Sequence, residues 1–241
     1  MQLFYCEDIA PLGLCTLDAE ESRHAVRVLR LREGDTINVT DGKGHLYRCQ
    51  IVDANDHTCL VESDSPLSTL HSPLSTLHLA VAPTKNPSRM EWLVEKAVEM
   101  GVDEITLLQC DHSERSFLKT ERLEKLAISA MKQSLHLTLP RINPAVPMCD
   151  FIAQTIQKSA TRAIKLIAHC EADKPRTLLH EALLPKRDAV VLIGPEGDFS
   201  NEEIALAIDN GFLPVSFGTA RLRTETAALY AVAAFNFINE Q

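Results

Sequence analysis

The chain has 241 residues, enough for one large domain, or a large and a small one, around a sizeable core. Its 45% hydrophobic content is ordinary for a soluble globular protein. Its apolar runs are too short to span a bilayer and its N-terminus lacks the basic-then-apolar order of a signal peptide, so a cytoplasmic protein is expected. A formal net charge of -9 excludes a uniformly basic nucleic-acid surface, so any RNA contact has to come from local basic patches. The seven cysteines are odd in number and contain no CxxC pair, which argues against a disulfide framework or a zinc site; they read as reduced.

Taken in order, residues 1 to 70 read as a small β-rich domain. Ser22 to Arg32 reads as a short helix, on which Arg23, Arg27 and Arg30, spaced four and three apart, share one face. That face is either a solvated charged surface or an RNA contact; in so acidic a chain it is the best candidate for the latter. Thr36 to Thr40 and Leu46 to Val52 flank the glycine turn Asp41-Gly42-Lys43-Gly44 and predict a hairpin, with His57 to Glu62 as a further strand. Together these predict a small barrel.

Ser65 to His78 is a perfect tandem repeat of Ser-Pro-Leu-Ser-Thr-Leu-His. Two copies of so short a unit do not build a solenoid. Pro66 and Pro73 disfavour a regular helix or a central strand, so the repeat reads as a linker and the domain boundary is placed here, with residues 71–241 as the second domain. His71 and His78 come with the repeat and carry little evidence for a metal.

The second domain opens with a strand over Leu77 to Ala82, then Lys85 and Arg89 beside a helix whose capping box is Ser88 and Glu91, with Met90, Leu93, Val94, Ala97 and Val98 inward. Gly101 ends this helix and Ile105 to Leu108 is the next strand, a β-α-β order that signals a parallel sheet. Thr120 to Leu135 and Phe151 to Lys158 read as helices, Ala163 to Ala168 as a strand, and residues 178 to 184 as a short helix. His169, at a strand's carboxyl end, either lines a pocket or is a plain surface histidine.

Val190 to Phe235 organises the rest. An apolar strand ends in Gly194-Pro195-Glu196-Gly197-Asp198-Phe199, and Ser200 with Glu203 forms a capping box for the following helix, which stops at Gly211. A second strand ends in Phe217-Gly218-Thr219-Ala220-Arg221-Leu222-Arg223, with Thr224 as N-cap of an alanine-rich helix. Glycine permits positive φ and close approach of a ligand to the backbone. Alone, either loop reads as an ordinary strand-to-helix turn; as a pair at carboxyl strand ends they read as a split small-molecule site. The arginines suit phosphate or polarised carbonyl oxygens. Glu225 has two open readings, a carboxylate complementing the helix dipole or a catalytic group.

These motifs, with Lys85, Arg89-Met90-Glu91-Trp92, Glu99 to Val102, Ser113 to Ser116, Gln133-Ser134, His24 and Val28-Leu29-Arg30, closely resemble the 16S rRNA uridine-N3 methyltransferase family (RsmE) of the SPOUT superfamily. The resemblance spans nearly the whole chain. It implies an α/β fold with a SPOUT-type parallel sheet and trefoil knot, a PUA-like N-terminal domain, and a homodimer. It implies S-adenosylmethionine held by Ala168, His169, Ile193, Gly194, Gly197, Phe217, Gly218, Leu222 and Thr224, and methylation of ring nitrogen 3 of a uridine in 16S rRNA of the small ribosomal subunit. Arg223 is the expected stabiliser of the developing uracil anion and Glu225 the candidate base; Arg23, Arg27, Arg30, Lys85 and Arg89 are the expected RNA contacts. Four positions depart from the family pattern: Asp198 stands where glycine is frequent, Ala220 where arginine is frequent, with Arg221 one residue later, and Lys132 and His136 where Glu and Arg are expected.

Two other functions stay open at this stage. A non-catalytic RNA-binding module on the same fold would be favoured by Asp198 and Ala220. An unrelated nucleotide-binding enzyme is disfavoured, because neither a P-loop nor a GxGxxG follows any predicted strand.

Overall fold

A computed structural model describes residues 2–69, 75–114, 119–158, 163–171 and 175–239. Arg115 and Ser116 of the Ser113 motif, and His71 within the tandem repeat, lie outside the described residues. The chain divides into two units, Met1–Pro73 with Ile128–Leu139, and Leu74–Ala127 with Pro140–Gln241.

The first unit holds β1 (Leu3–Tyr5), β2 (Leu14–Thr16), α1 (Ala19–Arg23), β3 (Thr36–Thr40), β4 (His45–Asp53) and β5 (Leu60–Thr69). The expected barrel is a curled five-stranded sheet of order β1-β3-β4-β5-β2, closed around Phe4, Leu17, Val39, Cys49, Ile51 and Val61. The hairpin forms as predicted, but β5 runs through Pro66 into the stretch read as linker. Proline is tolerated because β2 pairs only with Leu60 to Glu62, leaving one side of the strand unpaired at Pro66. Ile128–Leu139 belongs with this unit: Thr40 Oγ1 donates to the Leu137 carbonyl at 3.1 Å, and Lys132 forms an ion pair with the buried Glu21. Cys6 and Cys15, read from sequence as thiols, are bonded to each other.

The predicted arginine helix is shorter than expected. α1 ends at Arg23, a π-helical turn spans His24–Val28, and Arg30 sits beyond it at φ 59°. The wide turn breaks the four-and-three spacing, so the three arginines do not line one α-helical face. They remain exposed, and Arg27 is paired with Asp56.

The second unit contains β6 (Leu77–Val81), α2 (Pro87–Glu99), β7 (Glu104–Gln109), α3 (Thr120–Ser134, whose last turns belong to the first unit), β8 (Arg141–Pro147), α4 (Met148–Lys158), β9 (Ile164–Ala168), β10 (Thr177–Leu178), α5 (Leu179–Ala182), β11 (Ala189–Ile193), α6 (Asn201–Asp209), β12 (Leu213–Ser216) and α7 (Thr224–Asn239). Its seven strands are all parallel, in the order β10-β12-β9-β11-β6-β7-β8. β11 is buried along its whole length, as its uninterrupted apolar sequence requires of a central parallel strand. Ala80, Leu108, Ile152, Ile167, Leu192, Ile204 and Phe212 form the core on one side of the sheet. The cap of α2 is Asn86, accepting from the Ser88 amide at 3.0 Å with Pro87 at the first helical position, and not the expected Ser88. The Ser200–Glu203 capping box of α6 forms as predicted, with Gly211 at φ 80° ending the helix. No helix among the described residues is long and apolar enough to cross a membrane.

Candidate active site

The adjacent strands β12, β9 and β11 end at Ser216, Ala168 and Ile193, and the loops leaving them enclose a cavity of about 310 Å³. At this edge of a parallel sheet, backbone groups are no longer consumed by the ladder and are free to meet a ligand. Ala168, His169, Ile193, Gly194, Phe217, Gly218, Leu222 and Thr224 all line it, as does Arg223. The two glycine loops therefore meet. Thr224 joins them: its Oγ1 donates to the buried Gly194 carbonyl at 3.0 Å, so its side chain is spent on the opposite loop and not on capping α7.

The glycines do different work. A Cβ at Gly194 would lie 3.1 Å from the Phe199 ring and 3.2 Å from its amide nitrogen, so bare backbone here lets Phe199 fold under the loop. Gly218 carries φ 106°, which a side chain would strain. Gly197 is not part of the cavity wall; it faces His112, whose Cβ would stand 3.0 Å from an added methyl. The His112 Nδ1–H donates to the carbonyls of Gly197 and Asp198, at 3.2 and 3.1 Å.

The residue in the left-handed region of this loop is Asp198, at φ 65°. Aspartate is among the few residues that enter this region readily. Its carboxylate accepts from the Phe199 amide at 2.9 Å and from the Cys170 amide at 2.6 Å, tying the loop after β11 to the loop after β9. Arg176 holds the same β9 loop by donating to the His169 carbonyl at 2.6 Å. Burial, then the Asp198 charge, pushes the Cys170 thiol up, against the opposing pull of Arg221 and Arg176. Behind the loop, Ser200 Oγ donates to Asp111 at 2.6 Å, and the Asp111 amide donates to Glu203 at 3.0 Å. The departure at 198 was visible in the sequence; its bridging role and that of Arg176 carried no local signal.

Arg223 is exposed and borders both this cavity and a neighbouring open groove of about 540 Å³. In that groove lies Glu225, only 6% exposed, with Oε1 at 3.7 Å from Arg89 Nε and Oε2 without a hydrogen-bond partner among the described residues. Lys85, also expected at RNA, is exposed and paired with Glu114 at 2.7 Å, while its amide donates to Glu196 at 3.0 Å. Arg221 lines the cavity wall beside Ala220. Among the described residues no group of His, Cys, Asp and Glu is arranged to hold a metal ion.

A parallel sheet with a cavity built from three carboxyl-end loops and lined by Arg176, Arg221 and Arg223 defines an α/β protein that binds a small molecule at the carboxyl ends of its strands. The family described as RNA methyltransferase domain matches residues 71–236, and that described as RNA methyltransferase PUA domain matches residues 17–62. A probable rRNA-methyltransferase from Porphyromonas gingivalis is 40% identical, covering 100% of this chain and 99% of its own, with a TM-score of 0.89. The ribosomal RNA small subunit methyltransferase E of Buchnera aphidicola is 30% identical, over 95% of this chain and 90% of its own. The Neisseria gonorrhoeae protein of that name, solved bound to S-adenosyl methionine, is 26% identical over 99% and 98% of the two chains, with a TM-score of 0.81. The chain belongs to the family of ribosomal RNA small subunit methyltransferase E.

Proposed function

We propose that the protein binds S-adenosylmethionine in the cavity between the Gly194 and Gly218 loops and methylates ring nitrogen 3 of a uridine in 16S rRNA of the small ribosomal subunit. The observation that carries this reading is the convergence of the two glycine loops and the β9 loop on one cavity, with Arg223 at its rim. The fit is that of backbone at the half-buried Ala168 and the exposed Gly218 for a polar adenine and ribose, beside the apolar Phe217 and Leu222.

Bound there, S-adenosylmethionine supplies a methyl group whose bonding electrons leave with sulfur, giving a neutral thioether. Uracil nitrogen 3 carries a proton that must be lost for its lone pair to form the new bond. Glu225, with one oxygen unpartnered, accepts that proton. Arg223 faces the uracil oxygens onto which the negative charge spreads, and its guanidinium stabilises that charge. Asp198 fits a working site: it adopts the conformation that glycine otherwise supplies and braces two cavity loops. This favours the enzyme over a non-catalytic module.

Arg23, Arg27, Arg30, Lys85 and Arg89 are the proposed RNA contacts; all but the half-buried Arg89 are exposed. A homodimer is supported by α7, whose outward Tyr230, Ala233 and Phe237 fall at helical spacing and leave Phe237 69% exposed. A ribosomal substrate places the enzyme in the cytoplasm. The test is methyl transfer to small subunits from cells lacking the protein, followed by nucleoside analysis. 3-Methyluridine is the expected product; cofactor binding without transfer to any uridine overturns the reading.

A further inference from the structure

Beside the cofactor cavity, Ser88, Arg89 and Trp92 from the start of α2 and Arg223, Glu225 and Thr226 from the start of α7 form the open groove described above. Two features of it are unexplained by packing. Trp92, the one tryptophan in the chain, is 46% exposed although aromatic rings gain from burial. Glu225 Oε2 is buried with no donor among the described residues, although buried polar atoms nearly always have a partner. An exposed flat ring next to an unsatisfied acceptor is a site waiting for a flat ligand that carries an N–H.

Resting on the function proposed above, we infer that this groove seats the target base, with the Trp92 indole as stacking platform and Glu225 Oε2 as the acceptor that admits uracil and rejects cytosine. Arg223 borders both the groove and the cavity, so the two sites adjoin. Two arginines against one carboxylate leave the groove with net positive charge, which suits an RNA strand. The Arg89–Glu225 pair, at 3.7 Å, is looser than a direct hydrogen bond and yields to an incoming donor. Uracil offers N3–H to Oε2. Cytosine offers a lone pair at the same position, and two facing acceptors repel, so a site built for an N–H rejects the analogue lacking it.

The test compares wild type, Trp92→Phe, Trp92→Leu and Glu225→Gln on isolated small subunits, with S-adenosylmethionine affinity measured by calorimetry in each. Stacking on an aromatic ring is worth about 5- to 150-fold in affinity, so Trp92→Leu is expected to raise KM for the subunit by at least about fivefold. Trp92→Phe is expected to keep most of the wild-type value, and cofactor affinity is expected to hold in both, which separates a lost platform from a misfolded protein. On subunits carrying cytidine at the target position, wild type is expected to bind less tightly than on the uridine form, and Glu225→Gln, whose amide donates to cytosine, to lose that preference. A Trp92→Leu enzyme with unchanged KM, or a Glu225→Gln enzyme with unchanged preference, overturns the seat while the methyltransferase reading stands. A wild-type enzyme that binds cofactor and methylates no uridine overturns both.

Discussion

Thr224 Oγ1 donates to the Gly194 carbonyl across 3.0 Å, linking the loop that leaves β11 to the loop that opens α7. Both residues line the cavity and both are buried. Replacing Thr224 by valine keeps the shape and removes the donor, stranding a buried carbonyl at a cost of about 1–3 kcal/mol. Thermal melts are expected to show that loss, and calorimetry a weaker grip on S-adenosylmethionine. A variant with wild-type stability and affinity would show that the loops hold their positions without this bond.

In the proposed mechanism Arg223 and Glu225 act in the chemical step. Arg223→Ala is expected to lower kcat by about 100-fold or more, the usual effect of removing a positioned donor from a developing anion. Glu225→Gln is expected to lower kcat while leaving cofactor affinity within about twofold of wild type, since general-base contributions act only in the transition state. Single-turnover rates with saturating small subunits read both. Full rates in either variant would remove the role assigned to that side chain.

Cys170 lies in the cavity wall, and its thiol is pushed up by burial and by Asp198. The thiolate is the reactive form. Iodoacetamide is therefore expected to label Cys170 more slowly than free cysteine at neutral pH, with the rate rising only above the ordinary thiol range. S-Adenosylhomocysteine is expected to suppress the reaction further. Peptide mapping that finds rapid labelling unaffected by this ligand would contradict the placement of the cofactor.

Glu21 is buried against Lys132, at a position where relatives were expected to carry glutamate. Burial raises the Glu21 pKa and Lys132 partly offsets it. A carboxyl whose folded pKa is raised binds its proton more tightly when folded, so its contribution is present at acid pH and is lost as pH rises through the folded value. Lys132→Met removes the offset and is expected to destabilise the protein by about 3–5 kcal/mol near neutrality. The deficit is expected to shrink as pH falls and Glu21 takes up its proton. Urea titrations across this range check the sign; a deficit that grows on acidification would contradict it.

Much of the fold was legible because local physics agreed with tertiary context. β11 declared itself by an uninterrupted apolar run, and α6 by Ser200, Glu203 and Gly211, each of which does what its type favours. The two glycine loops were legible as a pair because each follows a strand. What was not legible depended on distant partners. β8 contains Pro144 and Pro147 and is a strand because it pairs with β7 at the sheet edge. β5 absorbs Pro66 because β2 is too short to reach it. Thr224 read as a cap, but a carbonyl thirty residues away claims its hydroxyl. The π-helical turn after Arg23 displaces an arginine stripe that spacing alone had aligned. The strand order β12-β9-β11-β6 likewise has no trace in periodicity.

The most direct measurement is mass spectrometry of 16S rRNA from a strain deleted for this protein and from the same strain expressing it. The account predicts one uridine that loses its N3-methyl group in the deletion and regains it on expression, but not on expression of Arg223→Ala. An identical methylation pattern in deleted and expressing cells would contradict it.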